Sequence, residues 1–212
     1  MNIKSKQTML EAIKATCKIC NMCRLGRMTH EHNGKQLDNF HVFSSMTLSR
    51  IIIFGQNPGF NECIQDIPFV GDAGEIFNRE ITKHNIARDM FYISNTVRCH
   101  TPNNRKPEQD EINACEPFLK MELNVLKPLL AVTLGAVAFE IVCPELKYSD
   151  SLGKLIKSSK YDINVFPIYH PSPRNMADHN RKSKFEEDVA TLCDLIKKLQ
   201  SDYGEALNRF NV

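Results

Sequence analysis

Apolar residues in this chain fall into two kinds of run. Four are short and almost continuous: Ile51–Phe54, Phe91–Ser94, Leu129–Thr133 and Asn164–Ile168. Between them, apolar positions recur every three or four residues, the spacing of a helix that buries one face. That spacing predicts helices over 6–16 (Met9, Leu10 and Ile13 inward), 73–84, 107–126 (Ile112, Phe118, Leu119 and Leu126 inward), 135–142 and 183–200 (Phe185, Val189, Leu192, Ile196 and Leu199 inward). Pro107 followed by Glu108 and Glu111 suits a first helical turn, where acidic side chains meet the positive end of the dipole. Residues 26–46 and 55–72 read as irregular. Strands that are apolar on both sides and alternate with helices belong to a parallel sheet covered on both faces. The predicted fold class is α/β: a three-layer α/β/α sandwich around a four-stranded parallel sheet, formed by residues 1–212 as one domain.

Two polar loops leave these strands at their carboxyl ends, where open α/β folds place their chemistry. Gly55-Gln56-Asn57-Pro58-Gly59 follows the first strand, and His170-Pro171-Ser172-Pro173-Arg174-Asn175 follows the last. Stiffened turns carrying an amide and an imidazole suit a pocket for a flat polar ring. Composition narrows the partner. With 42% hydrophobic and 25% charged residues the chain has a globular balance, so wholesale disorder is excluded. A formal net charge of +2 leaves nucleic-acid binding to local basic patches, and the absence of Trp leaves Phe and Tyr to stack on bases. No apolar stretch has the length of a membrane span or a signal-peptide core, so an intracellular, cytoplasmic location without membrane contact is expected.

Eight cysteines in such a chain point to metal or redox chemistry ahead of disulfides. Cys17, Cys20 and Cys23 form C-x2-C-x2-C, while Cys99 and Cys115 flank a second stretch. Four thiolates can hold zinc or an iron–sulfur cluster, and spacing does not separate the two. The bacterial ferredoxin run fails, because position 27 is Arg. Cys143 and Cys193 read as core residues.

Longer motifs carry a resemblance. Gly55-Gln56-Asn57-Pro58-Gly59 and Phe69-Val70-Gly71-Asp72-Ala73-Gly74, the stretch Tyr92–Pro107, and Glu111–Leu119 resemble, in order and spacing, the blocks of the uracil-DNA glycosylase superfamily. Within it they are most similar to the iron–sulfur (family 4) type. The resemblance implies a [4Fe-4S] cluster on Cys20, Cys23, Cys99 and Cys115, with Cys17 spare and zinc the less favoured occupant, tying the N-terminal segment in. It implies catalytic roles for Asn57 and His170, and base binding by Gly55, Gln56, Gly59, Phe69 and Asn95. His170 would donate to uracil O2, Asn95 would read O4 and N3–H, and Phe69 would stack on the ring. Arg105, Lys106, Ser172, Pro173, Arg174 and Asn175 would meet DNA, with Arg98, Arg181 and Lys182 as further phosphate contacts. The implied protein is a monomer that removes uracil from DNA.

Two departures bear on substrate range. Family 4 has Glu where Gln56 stands, and Asn57 with His170–Asn175 resembles the single-strand-selective monofunctional branch. Gly59 replaces the Tyr that excludes 5-substituted uracils in some branches. Neither loop contains Lys, so no Schiff base is expected. The competing readings are a zinc- or cluster-stabilised nucleic-acid-binding protein without catalysis, and a nucleotide-binding Rossmann-like protein. The second lacks a G-x-G-x-x-G after the first strand.

Overall fold

The computed structural model describes residues 2–32, 35–38 and 41–204, with only the backbone described for those between 30 and 40. The chain opens with α1 (Ile3–Lys18), capped by the Asn2 side chain, which accepts from Ser5 N at 2.8 Å. Leu10, Ile13 and Cys17 form its buried face, whereas Met9, expected inside, is exposed. A hairpin of β1 (Thr29–His32) and β2 (Lys35–Asp38) then occupies part of the stretch that its polar sequence marked as irregular.

Five strands build the main sheet: β3 (Ile51–Gly55), β4 (Tyr92–Asn95), β5 (Leu130–Leu134), β6 (Ile156–Ser158) and β7 (Ile163–Ile168). Their order is β4-β3-β5-β7-β6. The four expected strands are parallel to their neighbours, and β6 pairs antiparallel with β7 at the edge. The sheet is therefore mixed and five-stranded rather than four-stranded. With three residues and one apolar side chain, β6 has no periodicity to read, and its pairing with β7 alone defines it.

Alternation along the strands divides the core into two layers. Ile51 and Ile53 pack with Phe77, Ile81, Phe185, Val189 and Leu192, from α3 (Asp72–Lys83) and α8 (His179–Tyr203). Ile52 and Phe54 face the other way, onto Leu10 of α1, Phe118 and Leu119 of α4 (Gln109–Leu126), and Phe139 of α5 (Ala136–Val142). Helices thus cover both faces. Among the described residues, no helix is long and apolar enough to cross a membrane.

Three short helices escaped the periodicity argument: α2 (Phe60–Gln65), α6 (Tyr148–Ser151) and α7 (Pro173–Met176). Of these, α2 falls in the 55–72 stretch that reads as irregular, directly after the first motif loop, and α7 starts within the second.

Candidate active site

Parallel pairing brings the carboxyl ends of β3, β4 and β7 to one edge of the sheet. Gly55 and Asn95 are register partners at the last rung between β3 and β4, and His170 follows β7 by two residues. The loops beyond them enclose a pocket of about 580 Å³, lined among others by Gln56, Asn57, Gly59, Phe69, Asn95 and His170. The amide and imidazole groups predicted to share a cavity do share one. Gly55 sits directly behind it.

Gly55 has no room for a side chain. A Cβ there would lie 2.5 Å from both Asn95 Oδ1 and the Phe69 ring. The absent methyl lets the amide and the aromatic ring approach each other across the strand end. Phe69 adopts a left-handed backbone conformation (φ 55°), uncommon outside glycine, which turns its ring back onto β3. Gly74 lies behind that turn: a Cβ on it would meet the Phe69 carbonyl oxygen at 1.9 Å. Gly74→Ala must therefore push α3 away from the Phe69 turn. We expect a loss of about 1–3 kcal/mol, the usual cost of overpacking, seen as a lower urea midpoint.

Glu62 secures the same turn, although the motifs assigned it no role. Its Oε1 accepts from Val70 N at 2.9 Å and Gly71 N at 2.7 Å. Its Oε2 would be 2.5 Å from a Cβ on Gly59, so a carboxylate rather than open space backs that glycine. An acidic residue three positions after Gly59, in the first turn of a helix capped by that glycine, is the sequence signal that could have exposed α2, though not what Glu62 holds.

The first loop is braced through its amides. Gln56 Nε2 donates to Asn57 Oδ1 at 2.6 Å and to the Arg105 carbonyl at 2.9 Å. Asn57 Nδ2 donates to the Pro58 carbonyl at 3.0 Å, and His100 Nδ1 lies 3.0 Å from the same oxygen. Gln56, expected to bind the base, thus braces the loop through its side chain.

The second loop is braced through the His170 carbonyl, which accepts from Ser172 N at 2.8 Å and Asn175 Nδ2 at 2.9 Å. Ser172 caps α7, accepting from Asn175 N at 3.3 Å. Gly135 (φ 89°) approaches so closely that a Cβ would lie 2.9 Å from that of His170. Burial lowers the imidazole pKa below its ordinary 6.5, against a smaller opposing pull from the Glu62 carboxylate. His170 is therefore a neutral imidazole at neutral pH.

The model of the uracil DNA glycosylase superfamily matches residues 43–193, which carry all of this pocket. The chain belongs to that superfamily. Type-4 uracil-DNA glycosylases are among its relatives. That of Sulfurisphaera tokodaii is 31% identical over 205 residues, covering 92% of this chain and 89% of that protein. The enzyme of Thermotoga maritima is 30% identical over 200 residues, covering 92% and 98%. In Saccharolobus solfataricus the match is 36% over 132 residues, 58% of this chain and 61% of that one.

Three cysteines of this superfamily member gather in the segment that follows β4 and the parts of the chain packed on it. Cys23, Cys99 and Cys115 are buried together with Leu25 and Val97, and the charge on Cys99 would be felt by Cys115, Cys23, Cys17 and Cys20. Gly26 lets the chain fold back: its Cβ would lie 2.4 Å from the Cys20 carbonyl. Burial, moderated by the Arg98 guanidinium, leaves the Cys115 thiol at about 11, and burial raises that of Cys99 further. Thiols buried in apolar surroundings in this way resist ionisation. No group of three or more His, Cys, Asp or Glu among the described residues is arranged to hold a single metal ion. A tetrahedral zinc needs its four ligands within about 2.0–2.3 Å of one point.

Cys143 and Cys193 are core residues, as expected.

The basic residues divide. Arg98 is fully buried and reaches no phosphate, contrary to expectation. Arg105 is clamped on Glu111, with Nη1 2.9 Å from Oε2 and Nη2 2.6 Å from Oε1. Burial alone would raise the Glu111 pKa, but hydrogen bonds from Arg105, the Glu108 backbone and Arg24 outweigh it and hold the carboxyl at about 2. Lys106 pairs with Glu140 at 2.6 Å on the surface. Pro173 and Arg174 are exposed, while Asn175 Oδ1 accepts from Arg181 at 3.0 Å.

Proposed function

We propose that this chain is a monofunctional uracil-DNA glycosylase that receives an everted uracil in the pocket, hydrolyses its N-glycosidic bond and leaves an abasic site for base excision repair. One observation carries the assignment to a uracil-type ring. Asn95 Nδ2 is buried at the pocket wall and finds no hydrogen-bond partner among the described residues. A buried donor left idle calls for an acceptor from outside, and uracil O4 is one. Cytosine presents an amino group at that position and is refused.

Breaking the bond to C1′ leaves negative charge on the base and positive charge on the sugar. Neutral His170 stabilises the first by donating to O2, with its carbonyl held by Ser172 and Asn175 so that the ring is preset. Asn57 offers no charge to the second. Its oxygen, already holding the Gln56 amide, has a remaining lone pair with which to orient water. Phe69 stacks on the ring. Arg174 and Pro173 fill the gap left by the base, and the braces of Ser172 and Asn175 hold them there. Arg105 and Lys106 act at this edge chiefly by shaping the loop, since both are ion-paired.

The cysteine set fits a [4Fe-4S] cluster on Cys20, Cys23, Cys99 and Cys115. When bound, it supplies a cross-link from the N-terminal segment to the 99–115 stretch, and residues 1–212 then act as one domain.

The test is alkali cleavage of a uracil-containing oligonucleotide after incubation with the wild type. Strand scission at the uracil is expected, and intact oligonucleotide from cluster-loaded protein would refute the proposal. Substituting Asn57→Asp in the same assay is expected to speed base release roughly 100-fold, the low end of what a correctly placed base contributes.

A further inference from the structure

We infer that Arg98 donates a hydrogen bond to the sulfur of Cys115, a ligand of the cluster, and thereby secures it, an inference that rests on the cluster reading above. The guanidinium is fully buried, and Nη2 is spent on the Glu122 carboxylate, itself fully buried. Glu122 Oε1 accepts from Tyr92 Oη at 2.7 Å and Ser94 Oγ at 2.9 Å, so this end of the network is complete. The other end is not. Arg98 Nε and Nη1 are buried without a partner among the described residues.

A guanidinium with two idle donors is a defect unless something accepts from it. The nearby ring does not, since the guanidinium carbon is 5.9 Å from the Phe43 centroid and the ring has no lone pair. Apart from Glu122 and Tyr92, the titratable groups beside it are sulfur: Arg98 interacts electrostatically with Cys115 and Cys17, and its own backbone N–H lies 3.5 Å from Cys115 Sγ. A protonated thiol accepts weakly. A thiolate bound to iron accepts well, and outer partners of this kind set how firmly a metal centre is held. Cys99 is the next residue, so the chain presents a ligand and its supporting donor in sequence.

Four proteins test this: wild type, Arg98→Met, Glu122→Gln, and the double variant, each purified without oxygen. The readout is the rate at which the brown absorbance of the cluster bleaches under a chelator, with thermal unfolding followed alongside. Arg98→Met is expected to bleach roughly tenfold faster, the low end of the outer-partner effect. The double variant, which restores a neutral core but no donor, should bleach equally fast while regaining unfolding temperature. Glu122→Gln alone should bleach like the wild type. Wild-type bleaching from the double variant, or no change in any variant, overturns the inference and assigns Arg98 to the Glu122 pair alone. Wild-type protein without iron overturns the cluster reading first, and this inference with it.

Discussion

Asn95→Asp should abolish almost all uracil release while leaving the fold intact. The substitution is isosteric, so Gly55 and Phe69 keep their places around it. What changes is the chemistry of one atom, because the idle Nδ2 donor becomes a carboxylate oxygen that faces uracil O4. The site then sets two acceptors against each other at a pocket wall where Asn95 is 1% exposed. Sites built to hydrogen-bond one polar group reject a mismatch by about 10⁴–10⁵-fold, and a fall of about 10⁴ in single-turnover kcat/KM is expected here. Circular dichroism and the urea midpoint should change little by comparison. If the Asp variant releases uracil within tenfold of the wild type, Asn95 does not read the base.

That pocket was legible because its parts are sequence-local. Gly55, Asn95 and His170 each stand at the end of an apolar run, and parallel pairing forces such ends together. Loops of fixed composition then leave little choice about what lines the cavity. Long-range bracing was not legible. Nothing in the string of residues says that Glu62 holds the Phe69 turn or that His100 supports Pro58. Arg98 is the sharpest case: an arginine in a basic, Pro-containing stretch reads as a surface charge. Only the packing of Tyr92, Ser94 and Glu122 around it makes burial possible, and those residues lie on β4 and α4, brought together by the sheet. Arg105 hides its pairing for a related reason. Its partner Glu111 was correctly placed in a helix's first turn, but its second task, gripping Arg105, depends on the loop's path. Edge strand β6 and the β1–β2 hairpin show the same limit, since both exist through pairing and neither through its own apolar pattern.

His170→Ala should lower kcat by roughly 100- to 1,000-fold, the usual loss for one preorganised donor aimed at developing negative charge. Binding of an uncleaved uracil-containing strand should persist, because Asn95, Phe69 and the loop braces remain. A fall in binding matched by no fall in kcat would move His170 from catalysis to ground-state recognition. The same variant has a signature in acid. The unfolded imidazole takes up a proton below about 6.5, whereas the folded one resists, because burial has lowered its pKa. Stability that rests on a neutral His170 is therefore fully present above that value and is lost as pH falls from it toward the folded pKa. His41, also lowered by burial, contributes to the slope in both proteins. Thermal midpoints taken between pH 8 and pH 5 should accordingly converge, with the advantage of wild type over His170→Ala shrinking on the acid side. Parallel curves would mean that the imidazole is solvated in the free protein, and the preset neutral donor would lose its physical basis.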